Sequence, residues 1–165
     1  MAGMKHYKGF WGWVTSTFPT AQHGTWAWRI EKVVTATHVR VFQLTRGRLM
    51  GTFDGAPLLI LHHRGAKTGQ PRESPMIYLQ DEAKLVVVAS YGGSPKHPAW
   101  YHNVLARPDE VTVDIRGGRT KVRPRRATAQ EATALWPRLI DMWPAWQAYM
   151  TRTDRDFPVM ILEVV

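Results

Sequence analysis

Leu58-Leu59-Ile60-Leu61-His62-His63-Arg64-Gly65-Ala66-Lys67-Thr68-Gly69-Gln70-Pro71-Arg72-Glu73-Ser74-Pro75-Met76-Ile77-Tyr78-Leu79 decides the fold, because it sets a short basic turn between two strand-like runs. Leu58 to His62 is a continuous apolar run, and Glu73 to Leu79 resumes the pattern after the turn. The turn holds glycines that free the backbone, polar donors from Thr68 and Gln70, and the cations Arg64, Lys67 and Arg72. That combination suits a phosphate or carboxylate ligand. Gly65 to Gly69 contains Lys-Thr as a Walker A loop does, yet the first glycine of that motif is missing and a strand, not a helix, follows. A P-loop is excluded on context.

Working outward, Leu85 to Ser90 follows the polar turn Asp81-Glu82-Ala83-Lys84, so three strands in succession imply an antiparallel meander. A loop with Gly92, Gly93, Pro95 and Pro98 leads to a short helix from Trp100 to Ala106, which ends before Pro108. Val111 to Ile115 and Thr120 to Pro124 flank Arg116-Gly117-Gly118-Arg119, a strong hairpin signal. Thr128-Ala129-Gln130-Glu131 has the form of a capping box, so a helix starts there and runs towards Met142, with Pro137 and Pro144 restarting it in segments. Phe157 to Val164 is a closing strand. On the N-terminal side, Trp26, Ile30, Val33, Val34, Phe42 and Leu44 partly follow helical spacing, with Gly47 as the stop. Strands without βαβ alternation and helices at the ends predict an α+β fold whose sheet closes, or nearly closes, into a small barrel.

The chain has 165 residues and 44% apolar content, enough for one domain over residues 25–165 preceded by an aromatic arm, residues 1–24. A net charge of +9 and a pI near 10.3 imply an anionic partner: a polyanionic cofactor, nucleic acid or a membrane surface. With no cysteine, thiolate metal sites and cysteine nucleophiles are excluded. Apolar runs fall short of the ~18–20 residues a spanning helix needs, and the first residues lack the apolar core of a signal peptide. A soluble or peripheral protein is expected. Tyr7, Phe10, Trp11, Trp13 and Phe18 beside Lys5 and Lys8 would suit a membrane interface, or packing over the chain's own core. His62, His63, His97 and His102 lack ligand spacing with carboxylates, so no metal is expected. Ser90 has no nucleophile-elbow context, which removes hydrolysis.

The remaining chemistry has to come from a cofactor. The turn Gly65 to Arg72 entering a strand resembles the opening signature of the deazaflavin-dependent nitroreductase family, F420H2-dependent reductases of actinobacteria. Val87-Val88-Ala89-Ser90-Tyr91-Gly92-Gly93 followed by Lys96-His97-Pro98-Ala99-Trp100-Tyr101-His102-Asn103-Val104 is similar to the second signature. Trp136-Pro137-Arg138-Leu139, Met142 to Tyr149 and Thr151-Arg152-Thr153-Asp154-Arg155 resemble the third. Order and separation agree over Leu58 to Val165.

The resemblance implies a split β-barrel, related to FMN-binding pyridoxamine-phosphate oxidases, and F420 as cofactor. Its phosphate and glutamate tail would lie on Ala66, Lys67, Thr68 and Arg72, continuing along Glu73, Ser74, Pro75, Met76 and Ile77. Val88, Ala89, Ser90 and Tyr91 would line the deazaflavin ring, and Ala99, Trp100, Tyr101, His102 and Asn103 would complete the pocket. Trp143, Trp146 and Tyr149, at i, i+3 and i+6 of one helical face, would cover a planar acceptor, with Trp146 also touching the cofactor. Ser90 and Tyr149 are the candidate catalytic residues.

The chain departs from the best-known nitroreductase branch in carrying Trp143 and Trp146 where tyrosines stand, Ala66 where a basic residue is common, and Tyr91 where lysine often follows the serine. Indole is no practical acid, so protonation would fall to Tyr149, Ser90 or water. The expected acceptors are enones, unsaturated lactones, quinones or nitroaromatics. A cytoplasmic monomer or homodimer is expected, with possible peripheral contact at the inner membrane face and no nucleic acid. The alternatives are an FMN-dependent split-barrel enzyme and a non-catalytic basic module.

Overall fold

The computed structural model describes residues 26–53, 55–116 and 118–165, so the aromatic arm lies outside the described residues. Helix α1 (Trp26–Leu44) precedes strands β1 (Thr52–Phe53), β2 (Ala56–Arg64), β3 (Pro71–Ile77), β4 (Leu79–Asp81) and β5 (Lys84–Val88). Helix α2 (Ala99–Ala106), the hairpin β6 (Thr112–Ile115) and β7 (Gly118–Arg126), helices α3 (Ala129–Met142) and α4 (Ala145–Met150), and β8 (Val159–Val164) complete the chain.

The strands follow the order β1-β2-β6-β7-β8-β5-β4, with β3 on the other side of β2. All pairings are antiparallel. Strands β3 and β4 form one bent run through Tyr78. Its first half pairs with β2 and its second half with β5, which brings the sheet round on itself. The result is the expected α+β split barrel.

The meander is corrected in one respect: the middle run does not pair with both neighbours along its length. Tyr78 donates its N–H to the Pro57 carbonyl at 3.1 Å, and beyond that point the chain has left β2 for β5. Pro75 has no N–H to offer a second neighbour.

Alternation along β2 explains the continuous apolar run that opens it. Leu59 and Leu61 face a barrel core with Met76, Leu85, Val87, Val113, Val122, Met160 and Leu162, and α2 plugs it with Tyr101 and Val104. Leu58 and Ile60 face outward onto Val39 and Phe42 of α1. The strand is therefore apolar on both faces. A further cluster packs Val86, Val88, Val159 and Ile161 against Leu135 and Leu139 of α3 and the tryptophans that follow.

The termini of the helices are set locally. The Gly47 N–H returns to the Phe42 carbonyl at 2.8 Å with φ +73°, the expected stop for α1. Thr128 Oγ1 accepts from the Glu131 N–H at 3.2 Å while Glu131 Oε2 accepts from the Thr128 N–H at 2.8 Å, so the capping box forms. Pro137 does not restart the helix; α3 runs through it. Pro137 and Thr133 are both exposed, so the carbonyl that loses its helical partner can turn to water. Pro144 does separate α3 from α4.

Candidate active site

The basic turn is built from its own backbone. Gly65 donates to the Gln70 carbonyl at 2.9 Å, Gly69 donates to the Gly65 carbonyl at 2.8 Å, and Gly69 sits at φ +64°. A Cβ on Gly65 would come within 2.6 Å of Thr68 Oγ1, so a side chain there would displace the Thr68 hydroxyl from the turn. Arg64 pairs with Glu110 at 2.9 Å. Lys67 and Arg72 are exposed and, among the described residues, take part in no ion pair. Two of the three cations therefore remain to receive an anion.

Asn103 of α2 anchors this turn, accepting from the Ala66 N–H on its Oδ1 at 2.8 Å. Its Nδ2 lies 3.2 Å from His63 Nδ1, and His63 Nε2 lies 3.1 Å from Ser74 Oγ. His63 is 5% exposed. Burial above all, with the charges of Arg72 and His62, holds its pKa down to about 4 against the backbone of Arg64. No metal is expected at the adjacent histidines, and this role of His63 is not among the expectations drawn from the sequence. The available signal was alternation, which places His63 on the same face as Leu59 and Leu61.

That alternation also divides the residues expected along the cofactor. Arg72, Ser74 and Met76 share the His63 face, with Met76 buried in the barrel core. Glu73, Pro75 and Ile77 share the opposite face. Glu73 there meets Gln43 of α1 at 3.0 Å and His62 at 3.2 Å. In α2, Tyr101 is part of the barrel plug, Trp100 packs half-buried against it, and His102 and Ala99 are exposed.

Strand β5 ends at the buried Val88, and the chain continues through the buried Ala89 and Ser90. It then makes three successive left-handed residues, Tyr91 (φ +48°), Gly92 (φ +61°) and Gly93 (φ +79°). For Tyr91 this is a strained conformation that its surroundings must hold. Arg155 holds them. Its guanidinium donates to the carbonyls of Ser90 at 2.7 Å, Ser94 at 2.9 Å, Ala89 at 3.1 Å and Asp156 at 2.8 Å, and reaches His97 Nδ1 at 2.9 Å. His97 in turn stacks near Tyr101, with ring centres 5.1 Å apart, which ties the loop to α2. Arg155 was visible in the third signature, but no role was assigned to it.

The aromatic group expected over the acceptor is present, but not on one helical face. Trp143 ends α3 and Pro144 starts α4, so the helix breaks between Trp143 and Trp146. The rings still meet edge to face: Trp143 lies 5.3 Å from Trp146 and 5.6 Å from Tyr149, and Trp136 lies 6.4 Å from Trp146. Trp143 and Trp146 are buried and Tyr149 is half-buried. Trp143 Nε1 is enclosed and, among the described residues, has no hydrogen-bond partner.

Helix α4 sits directly on the Tyr91–Gly93 turn. A Cβ on Gly93 would be 2.7 Å from the Tyr149 carbonyl oxygen and 3.1 Å from the Arg152 side chain. Arg152 donates to the Gly92 carbonyl at 3.2 Å and stands 5.1 Å over the Tyr149 ring. Behind Arg155, a cavity of about 590 Å³ is lined by Trp136, Met150, Phe157, Arg126 and Asp156 among others, and the last two pair with each other at 2.6 Å.

The three sequence segments are thus one structure: turn to α2 through Asn103, α2 to the Ser90 loop through His97, that loop to α4 through Arg152, and the loop to the segment before β8 through Arg155. Residues 34–164 match the model of the family described as F420H(2)-dependent quinone reductase. An F420H(2)-dependent quinone reductase of Mycobacterium tuberculosis strain H37Rv is 36% identical over 129 residues, covering 76% of this chain and 86% of that protein. A solved F420-H2 dependent reductase (FDR-A) superposes with a TM-score of 0.59 at 35% identity, over 65% of this chain and 94% of that one. A structure described as a domain-swapped dimer gives 0.60 at 34% identity, over 78% of this chain and 99% of its own. The chain belongs to the F420H(2)-dependent quinone reductase family, whose members are oxidoreductases that use reduced F420.

Proposed function

We propose that this chain reduces planar conjugated acceptors, quinones foremost and enones, unsaturated lactones or nitroaromatics with them, at the expense of F420H2. The observation that carries the reading is the seating of α4 on the Tyr91–Gly93 turn, where the Tyr149 carbonyl and the Arg152 side chain pack on Gly93 while Trp143 and Trp146 group around Tyr149. A ring laid along the loop and an acceptor laid under the aromatics would share one space.

The residues fit the cofactor. F420 carries a phosphate and a glutamate tail, and Lys67 and Arg72 stand at a compact turn with no ion-pair partner among the described residues, in a chain of net charge +9. Lys67 and Arg72 bind the anionic end, while Ser90 and the backbone of Val88 to Tyr91 orient the ring. When bound, the reduced deazaflavin supplies a hydride from C5. The aromatic group excludes water and fixes the acceptor near attack distance, ~3–3.5 Å. Tyr149 or Ser90 delivers the proton, since an indole cannot.

Titration with F420 and FMN side by side, followed by F420H2 turnover against quinones, enones and nitroaromatics, tests the reading. F420 is expected to bind and quench tryptophan fluorescence; no binding at micromolar concentration overturns it. Ser90→Ala and Tyr149→Phe are expected to lower turnover, and unchanged rates in both would remove them from catalysis.

The likeness to a domain-swapped dimer supports a homodimer as the working form. Among the described residues, no helix is long and apolar enough to cross a membrane. Leu44, Leu49 and Met50 are exposed beside Arg46 and Arg48, which supports peripheral contact at an anionic membrane face. Salt-sensitive sedimentation with anionic vesicles tests that contact.

A further inference from the structure

His63 and Ser74 are diagonal neighbours across the β2–β3 ladder, since His63 stands opposite Arg72 and Leu61 opposite Ser74. Both face the barrel mouth that α2 covers, and Asn103 descends onto them from that helix. The four groups form a chain whose direction is fixed at one end.

The fixed end is the backbone. The Ala66 N–H can only donate, so the Asn103 atom 2.8 Å away is its carbonyl oxygen. Asn103 then presents its NH2 group to His63 Nδ1 at 3.2 Å, which makes Nδ1 an acceptor. A neutral imidazole with a bare Nδ1 carries its proton on Nε2, and that proton points at Ser74 Oγ, 3.1 Å away. With its oxygen accepting from His63, Ser74 is left to donate its own proton outward, from the same face as Arg72. Burial keeps the ring neutral, its pKa being about 4, and so preserves this order at neutral pH.

We propose that His63 is a positioning residue for the cofactor: through Asn103 it braces the turn that carries Lys67, and through Ser74 it aims a hydroxyl proton at a phosphate, carboxylate or carbonyl oxygen of F420. The proposal rests on the reading of Arg72 and Ser74 as cofactor-facing. It assigns work to a buried histidine that neither metal binding nor hydride transfer requires. Glu73, one residue away, cannot substitute, because it lies on the opposite face with His62 and Gln43.

The test measures F420 affinity by tryptophan quenching in the intact protein, with thermal unfolding alongside, for Ser74→Ala, His63→Phe, His63→Gln and the double variant His63→Phe/Ser74→Ala. Removing one such hydrogen bond is expected to weaken F420 binding about tenfold. Ser74→Ala and His63→Phe should each do so, the double variant should be no worse than the weaker single, and His63→Gln, which retains a donor and an acceptor, should recover part of the loss. Long-range 1H–15N NMR of the ligand-free protein should show His63 protonated on Nε2, a readout independent of cofactor.

A proton on Nδ1, or a His63→Phe variant that melts lower yet binds F420 as wild type does, overturns the proposal. If Ser74→Ala binds normally while Lys67→Ala and Arg72→Ala do not, the hydroxyl is not aimed at the cofactor and the proposal falls while the function stands. If the wild-type protein binds no F420, the functional reading itself fails.

Discussion

The guanidinium of Arg155 donates to the Ser90 carbonyl at 2.7 Å from across 65 residues of sequence, and the same group reaches three further carbonyls and a histidine nitrogen. A planar fork with five donors can hold such an array, whereas an ammonium cannot. Arg155 thereby shapes the loop read here as the ring-binding wall.

Arg155→Lys is accordingly predicted to lose stability on the order of 3 kcal/mol, because several enclosed carbonyls lose their donor at once. Turnover should fall further than stability alone would dictate at temperatures where the variant is folded. Chemical denaturation and F420H2 oxidation measured together check this; a variant with wild-type turnover would show that the loop keeps its shape unaided.

Gly93→Ala should separate the two halves of the site. Its φ of +79° disfavours any side chain, and the added methyl would meet the Tyr149 carbonyl at 2.7 Å. A loss of about 1–3 kcal/mol is expected, together with a raised KM for the acceptor and little change in F420 affinity. Equal effects on both ligands would argue against α4 as the acceptor's cover.

Trp146→Ala is predicted to read as a folding variant. Trp146 is 2% exposed and packs on Trp136 and Trp143, so truncation should cost about 3–5 kcal/mol. Tyr149→Phe, at a half-buried position, is the cleaner probe of the acceptor pocket, and the thermal midpoints of the two variants should differ accordingly.

The acid side of the stability profile should carry a signature of His63. Folding depresses its pKa from 6.5 to about 4, so the unfolded chain takes up this proton first as pH falls. Stability from this group is full above pH 6.5 and is lost progressively towards pH 4. His38, lowered chiefly by burial, acts in the same direction. Glu131, drawn down to about 2 by its hydrogen bonds to Arg125 and then the Thr128 backbone, adds a separate loss below its usual 4.5. His63→Phe should flatten the dependence of melting temperature on pH between 6.5 and 4; an unchanged slope would place the proton elsewhere.

How much was legible depended on range. The capping box at Thr128, the hairpin between β6 and β7 and the stop at Gly47 are local chemistry, and each forms as the residues indicate. The barrel was legible as a class. Its closure through Tyr78 was not, because which edge a strand joins is decided by partners far along the chain. Pro137 misled because helix breaking was read from residue type, whereas its exposure lets water take the unpaired carbonyl. The turn and the aromatics could be quoted from sequence, but Arg155 acts on backbone carbonyls, which leave no mark in a sequence. His63 was hidden differently: alternation separates it from His62, but that Asn103 of α2 and Ser74 of β3 meet it depends on contacts made far along the chain.

Among the described residues, strand β3 is paired on one side only, to β2, and β4 takes over the connection to β5 beyond Tyr78. The strand that carries Arg72 and Ser74 therefore exposes an unzipped margin, the kind of feature that recruits neighbouring chains into aggregates. Pro71 and Pro75 interrupt its donors, and Arg72 and Glu73 place charges along it. The margin can stay open to a long anionic ligand without templating a second copy. Edge-to-edge self-association along this strand is thereby disfavoured.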